Sequence, residues 1–243
     1  PRRRHTTRAG PAPAPAGGRR AVAAGAAILA ASTLPARGEP RTSACLGVRA
    51  DVTADAAGDV AIACDGARDA WAFLRPLVAE PLPRVQIDLV RRLPPDLRAD
   101  AIGCYAHETR RVSVLTLRDF LARERWFGIP PTRVLYRSIV AHEVAHALVG
   151  CVLGERRLPS AAHEYVAYVT MFATMDAGTR EQVLAAMPAQ GFDSVTKFND
   201  ITYAFDPMSF GVEAYRHWRD QPDGLGYLRR IVAGELIPEL LLN

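Results

Sequence analysis

Apolar residues recur at helical spacing through the second half of the chain. The stretch 131–154, PTRVLYRSIVAHEVAHALVGCVLG, places Leu135, Ile139 and Leu148 on helical steps and ends at Gly154. Further helices are predicted by the runs SAAHEYVAYVTMFATM, TREQVLAAM, PMSFGVEAYRHWRD and GLGYLRRIVAGEL. We therefore expect a helical C-terminal half.

The residues that precede this half contain short runs separated by turn residues, as strands do, and one of these runs, residues 84–90, alternates between apolar and polar positions. The runs VRADV (48–52) and DVAIAC (59–64) predict a hairpin that turns at Gly58, and RVQIDLV (84–90) predicts a further strand. Residues 102–117 predict two extended runs joined at HETR, while residues 65–80 change to helical spacing with Asp65 as a candidate N-cap. The predicted class is α+β: a small N-terminal antiparallel sheet with a helix, followed by a helical half.

Residues 1–38 differ in composition from the rest of the chain. A basic stretch rich in Pro, Gly and Ala is followed by the uncharged run AVAAGAAILAASTL (21–34). With Arg19 and Arg20 as the charged region and the residues 36–38 as the cleavage site, this pattern is typical of a secretory signal peptide. The mature chain would begin near Glu39 and form a single domain, 39–243. The alternatives are twin-arginine export and a leader that stays as an anchor, for which the apolar run is short of the about 20 residues needed.

The positive net charge of the chain belongs to this leader. The whole chain has 30 Lys and Arg against 26 Asp and Glu, and residues 1–38 hold seven Arg and no acidic residue. The mature part therefore has 23 basic and 26 acidic residues, which gives a net charge of −3. No basic stripe with interleaved aromatic residues is left, so nucleic acid is not an expected partner.

All four cysteines lie beyond the predicted cleavage site, and none belongs to a CxxC pair. An even number of cysteines in an exported chain favours disulfide bonds. Of the three possible pairings we favour Cys45 with Cys64 and Cys104 with Cys151, because the first two flank the predicted hairpin. The alternative is that they are buried free thiols.

The stretch AHEVAHALVG, residues 141–150, contains the candidate chemistry. Residues four apart on an α-helix differ by about 40° in azimuth and about 6 Å in rise, so His142 and His146 project side by side and can bind one ion. Glu143 is turned away from the line that joins them, which suits it to polarise a metal-bound water rather than to bind the metal. The alternative is a pair of histidines satisfied within the core.

A catalytic zinc needs a third protein ligand. The metzincin pattern would require Gly and His at positions occupied by Val149 and Val152, which excludes that class. Glu164 lies 18 residues beyond His146 on the next predicted helix. His163 competes with it, but one helical step separates the two by about 100°, so only one can face the metal.

An HExxH helix followed by a Glu on the next helix resembles the gluzincin metallopeptidases. The run around Glu164 fits theirs in part, at Pro159, Ala167 and Tyr168, and the strand run AIGCYAHETRRVSVLTL is similar to the edge along which their extended substrates bind. The run departs from theirs at three positions on the ligand helix: Ala161, Ala162 and Tyr165.

The resemblance implies a zincin-like fold with zinc as the cofactor. His142, His146 and Glu164 would be its ligands, and Glu143 would be the catalytic general base and acid. A peptide or protein would be the substrate. Gluzincins usually add a Tyr or His that stabilises the oxyanion, for which the candidates are Tyr168, Tyr215 and His217.

The leading hypothesis is an exported zinc metallopeptidase, periplasmic or secreted, that hydrolyses peptide bonds with a zinc-bound water activated by Glu143. The alternative, motivated by the departures on the ligand helix, is an inactive gluzincin-like scaffold that acts as a secreted binding or structural protein. No stable membrane span is expected after cleavage of the leader, and the oligomeric state is left open.

Overall fold

The computed structural model describes residues 40–78, 84–193 and 197–236. The predicted leader and its cleavage site lie outside the described residues. The described part has a small N-terminal sheet and a helical C-terminal half, which confirms the predicted α+β class.

The sheet has five strands: β1 (Arg41–Ala44), β2 (Ala50–Ala54), β3 (Val85–Val90), β4 (Gly103–Ala106) and β5 (Arg111–Leu115). Their order across the sheet is β1-β2-β3-β5-β4. The outer strands β1 and β4 run antiparallel to their neighbours, whereas β2, β3 and β5 are mutually parallel. The sheet is therefore mixed, and the prediction of a wholly antiparallel sheet is wrong.

A misassigned helix explains this difference. Helix α1 (Ala57–Leu74) begins before the predicted Asp65 and contains the whole run 59–64 that was predicted as a strand. The predicted hairpin at Gly58 is thus wrong, and the hairpin of the structure is formed by β1 and β2. Because α1 crosses between β2 and β3, it returns the chain in the same direction and makes these strands parallel.

The remaining helices follow the predicted pattern, with two short additions at α2 and α6. They are α2 (Leu117–Leu121), α3 (Arg133–Leu153), α4 (Ser160–Thr174), α5 (Ala177–Ala186), α6 (Asp200–Phe205), α7 (Pro207–Arg219) and α8 (Gly224–Ala233). No helix that the structure describes is long and apolar enough to span a bilayer.

Helix α3 is the central element of the core. The Thr132 side chain caps its N-terminus by accepting a hydrogen bond from the Leu135 N–H, and Gly154 ends it with a positive φ of 61° that favours glycine. Residues 138–150 are buried without interruption, as expected for a helix surrounded by other elements. Helix α1 lies so close to α3 that a Cβ on Gly66 would lie 2.5 Å from the Arg137 carbonyl oxygen.

The face of the sheet that points away from α1 and α3 is polar. Thr42 and Thr53 share a hydrogen bond across β1 and β2, and Gln86 on β3 donates to Thr53. Gln86 also donates to Asp88, which accepts from Arg111 on β5. Because side chains alternate along a strand, the opposite face of the same strands supplies the apolar residues that pack beneath α1 and α3.

One of the two predicted disulfide bonds is present. Cys45, just after β1, is joined to Cys64 in α1, which confirms that pairing and ties the first hairpin to the crossover helix.

The second predicted bond is wrong, because Cys104 and Cys151 are both free thiols. The alternation of β4 gives the reason. Gly103 and Tyr105 face α3, and the Tyr105 ring lies against Gly150 in that helix. Cys104 lies between them in sequence and therefore points to the other face of the sheet, away from Cys151.

Candidate metal centre

Helix α3 places His142 and His146 side by side, one turn apart. The two side chains are almost fully buried, and their Nε2 atoms lie 3.2 Å from each other. The rings meet edge to face, with centroids 4.8 Å apart. Both histidines thus direct the same type of ligand atom to one point, as the spacing predicted.

Glu164, in the second turn of α4, completes the group. Its Oε2 lies 3.4 Å from His142 Nε2, and its Oε1 lies 3.7 Å from His146 Nε2. The three ligand atoms lie within 4.8 Å of one another, and the group could hold a metal ion. His163, the competing candidate, does not belong to this group; its ring lies 5.7 Å from the ring of His146.

The spacing of the ligand atoms fits a tetrahedral ion. For bonds of about 2.0–2.1 Å at tetrahedral angles, ligand atoms lie about 3.3 Å apart. The two Nε2 atoms lie 3.2 Å apart and Glu164 Oε2 lies 3.4 Å from His142 Nε2, which are both close to this value. The Glu164 oxygen that lies nearest to His146 Nε2 is the other one, Oε1, at 3.7 Å. Two imidazole nitrogens and a carboxylate are also the donor set of many catalytic zinc sites.

The electrostatics of the group favour a buried negative charge. Burial alone would raise the pKa of Glu164, but the interactions with His146 and His142 outweigh burial and lower the pKa. Burial lowers the pKa of His146, which favours the neutral imidazole. An ionised carboxylate beside a neutral imidazole is a suitable partner for a cation.

Glu143, the residue after His142 in α3, is also buried. Burial raises its pKa to about 7, the charge of His142 opposes this shift, and the charge of Glu164 adds to it. The backbone of β4 touches its carboxyl, because a Cβ on Gly103 would lie 2.5 Å from Glu143 Oε1. Glu143 is therefore confined between the strand and the helix.

All four side chains open into one pocket of about 510 Å³. One wall is formed by the strand residues Gly103, Cys104 and Tyr105, and the base includes the apolar side chains Ile102, Trp126 and Ile139. Charged groups lie toward its rim, among them Asp96, Arg98, Asp100 and Arg157. A volume of this size is typical of sites that hold a small molecule or a few residues of a peptide.

Comparison with protein families gives a match to a family of unknown function (DUF6639) over residues 50–240. The chain belongs to this family. The DUF6639 region includes every residue of the candidate centre but not strand β1 or Cys45. Comparisons with curated proteins and with solved structures found no match.

Within the DUF6639 region, one of the three candidates for oxyanion stabilisation lies at the site. Tyr168 lines the pocket, and its ring centroid lies 4.4 Å from that of His142. The other two candidates, Tyr215 and His217, both lie on α7 and contact α4. Tyr215 stacks on Phe172, and His217 Nδ1 lies 2.7 Å from the Tyr165 hydroxyl. Both therefore belong to the packing between these two helices.

Tyr203 is a residue of the site that sequence reasoning missed. It lies on α6, lines the pocket, and donates a hydrogen bond of 2.8 Å to Glu164 Oε1. Burial, followed by the negative charge of Glu164, raises its pKa, so the hydroxyl keeps its proton. The short run that contains it in the DUF6639 region has no motif that would have singled it out.

Proposed function

We propose that the chain is an exported zinc-dependent peptidase. The observation that supports this most strongly is a convergence in one open pocket. Three atoms that could bind a metal lie within 4.8 Å of one another, and the buried carboxyl of Glu143 lines the same pocket. Such a combination of ligand set and titratable acid is typical of metal-assisted hydrolysis.

His142, His146 and Glu164 would hold the ion, and the catalytic zinc sites that use this donor set keep a fourth position open. A zinc ion would supply Lewis acidity there, toward both a peptide carbonyl and a water molecule. The pocket leaves the ligand atoms accessible to a substrate, whereas a purely structural zinc site is closed by a fourth protein ligand.

Glu143 would move the proton. Its pKa would fall when a cation occupies the neighbouring ligand group, because an opposite charge favours the ionised carboxyl. The resulting carboxylate accepts a proton from the attacking water and returns it to the nitrogen of the leaving amine. The contact with Gly103 holds the carboxyl in place for both transfers.

The edge of the sheet favours a peptide as the substrate. Among the described strands, β4 pairs with β5 alone, so its other edge is open, and its residues form a wall of the pocket. An extended peptide can add to such an edge through backbone hydrogen bonds. Because Gly103 lies against Glu143, a peptide bound there would bring its backbone carbonyls close to the general base.

The proposed export is supported by the Cys45–Cys64 disulfide bond. Disulfide bonds form and persist in oxidising compartments, which include the periplasm and the extracellular space. This agrees with the signal-peptide pattern of residues 1–38.

The alternative of an inactive scaffold was motivated by Ala161, Ala162 and Tyr165. All three side chains are buried in the core, and none of them lines the pocket. Their departure from the gluzincin pattern is therefore accounted for by packing behind the ligand helix.

Two measurements test the proposal. Elemental mass spectrometry on protein purified without a metal-affinity tag should give about one zinc per chain. Both His142→Ala and Glu164→Ala should lose the zinc, and His163→Ala, the matched change at a non-ligand histidine, should keep it. A peptide-library assay should then show cleavage by the wild type and none by Glu143→Gln with zinc still bound.

Each negative result would contradict a different part of the proposal. A wild-type chain without zinc after reconstitution would contradict the metal centre. A Glu143→Gln variant that cleaves as fast as the wild type would remove Glu143 from the mechanism. A zinc-loaded wild type that cleaves no peptide would support the binding scaffold instead.

A further inference from the structure

The two oxygens of the Glu164 carboxylate have different neighbours. Oε1 accepts the hydrogen bond from the Tyr203 hydroxyl at 2.8 Å and lies 3.7 Å from His146 Nε2, whereas Oε2 has no hydrogen bond from Tyr203 and lies closer to a histidine, 3.4 Å from His142 Nε2. A carboxylate can bind a metal through one oxygen or through both, and its own hydrogen bonds help to determine which. The contact with Tyr203 therefore lies where it can influence how Glu164 binds an ion.

The position of Tyr203 is set by contacts that do not involve the metal ligands. Asp200 Oδ1 accepts a hydrogen bond of 2.7 Å from the Ala161 N–H, which joins the start of α6 to the first turn of α4. Near the other end, Arg98 donates a hydrogen bond of 2.8 Å to the Ala204 carbonyl. Helix α6 is thus fixed at both ends, and the fold itself directs the Tyr203 hydroxyl to Glu164.

The ring of Tyr203 has a separate packing role. It meets the ring of Phe210 edge to face, with centroids 5.5 Å apart. A phenylalanine at position 203 would keep this contact and lose the hydroxyl alone. The role of the hydrogen bond can therefore be separated from the stability of α6.

We propose that Tyr203 is a positioning residue, whose hydrogen bond holds the Glu164 carboxylate so that it presents a single oxygen to the ion. This inference rests on the proposed metal centre. Without the hydroxyl, the carboxylate could turn and bind through both oxygens, and some of its orientation would be lost. Tyr203 thereby sets both the affinity for zinc and the number of ligand atoms around it.

The test compares Tyr203→Phe with the wild type and with Tyr227→Phe. Tyr227 is a suitable control, because its buried hydroxyl makes no hydrogen bond with a described residue. Zinc affinity is measured by titrating the metal-free full chain against a chromophoric chelator. Cobalt(II), added in place of zinc, reports the coordination number through its visible absorption, which is stronger for four-coordinate than for five-coordinate ions.

We expect Tyr203→Phe to bind zinc about 10- to 100-fold more weakly, the usual effect of removing a group that orients a metal ligand. Its cobalt absorption should weaken, while Tyr227→Phe should match the wild type in both measurements. Unchanged affinity and absorption in Tyr203→Phe would overturn the proposal, even if peptide cleavage fell, because the hydroxyl would then act on the substrate. A wild type that binds neither metal would overturn the metal centre, and this inference with it.

Discussion

The close contact between Gly103 and Glu143 gives a direct test of the proposed base. A Cβ at position 103 would lie 2.5 Å from Glu143 Oε1 and 2.6 Å from its Cδ. Non-bonded carbon atoms prefer separations of about 3.5–4.0 Å, so Gly103→Ala requires a movement of about 1 Å. The added methyl would also lie 2.6 Å from Glu143 Cγ, so we expect the whole side chain beyond Cβ to be displaced while the strand and helix stay in place.

The expected effect of Gly103→Ala is on rate rather than on folding. A misplacement of about 1 Å at a catalytic group can lower the rate about 100-fold, which corresponds to about 2.7 kcal/mol in the activation free energy. Zinc content should not change, because the three ligands are not touched. The assay measures kcat/KM on a peptide that the wild type cleaves, together with zinc per chain and the thermal unfolding midpoint.

Gly58→Ala is the matched control, because a Cβ at position 58 would meet no atom within 4 Å. It should cleave at the wild-type rate. The reasoning fails if Gly103→Ala binds zinc and cleaves within about threefold of the wild type, because a 1 Å displacement of a working base should cost far more. It also fails if the variant loses its zinc, since the perturbation would then extend beyond Glu143.

Two further predictions concern stability. Replacing Cys45 and Cys64 together by Ser opens a loop with a sequence separation of 19 residues, and urea unfolding should show a loss of about 3 kcal/mol. Cys151→Ser, a change at a free thiol, should have little effect, and an equal loss in both variants would contradict a specific role for the disulfide. Burial lowers the pKa of His217, and Asp220 opposes this in part. The unfolded chain, in which the pKa of this histidine is about 6.5, therefore binds its proton more readily than the folded chain. The contribution of His217 to stability is complete above about pH 6.5 and is lost as the pH falls from there toward the folded pKa. Between about pH 7.5 and pH 5.5, the thermal unfolding midpoint should thus decrease less in His217→Gln than in the wild type. An identical decrease in both proteins would refute the assignment of this pH dependence to His217.

The parts of the site that could be predicted from the sequence are those whose positions follow from the spacing of residues within one helix. His142 and His146 are one helical turn apart, so a correct helix assignment was enough to bring their ligand atoms together. Glu164 was preferred to His163 through the family resemblance, and the group that could hold a metal ion contains Glu164 and not His163. Tyr203 reaches Glu164 from 39 residues away through tertiary packing, for which no local pattern exists.

The errors in the predicted fold also concern features that no local sequence pattern determines. The run 59–64 is apolar after Asp59, which fits a short buried strand, but its Ala63 and Cys64 continue a helical series of buried positions through Ala67, Ala70 and Leu74. A short apolar run does not distinguish a strand from a helix, and packing against α3 decides between them. The pairing of Cys104 with Cys151 failed because the face to which a strand residue points depends on register, which cysteine spacing does not reveal.

The shortness of β4 limits how selective the protein could be for the sequence of a bound peptide. The strand has four residues, Gly103–Ala106, and consecutive residues of an antiparallel pair direct their backbone groups alternately to one neighbour and to the other. About two residues of β4 therefore present backbone groups to the open side, roughly 7 Å apart. A peptide held at so few points, through atoms that every residue shares, would be chosen for being extended rather than for its sequence. Such a protein would be suited to act on many unfolded chains, with discrimination left to the side chains around the pocket.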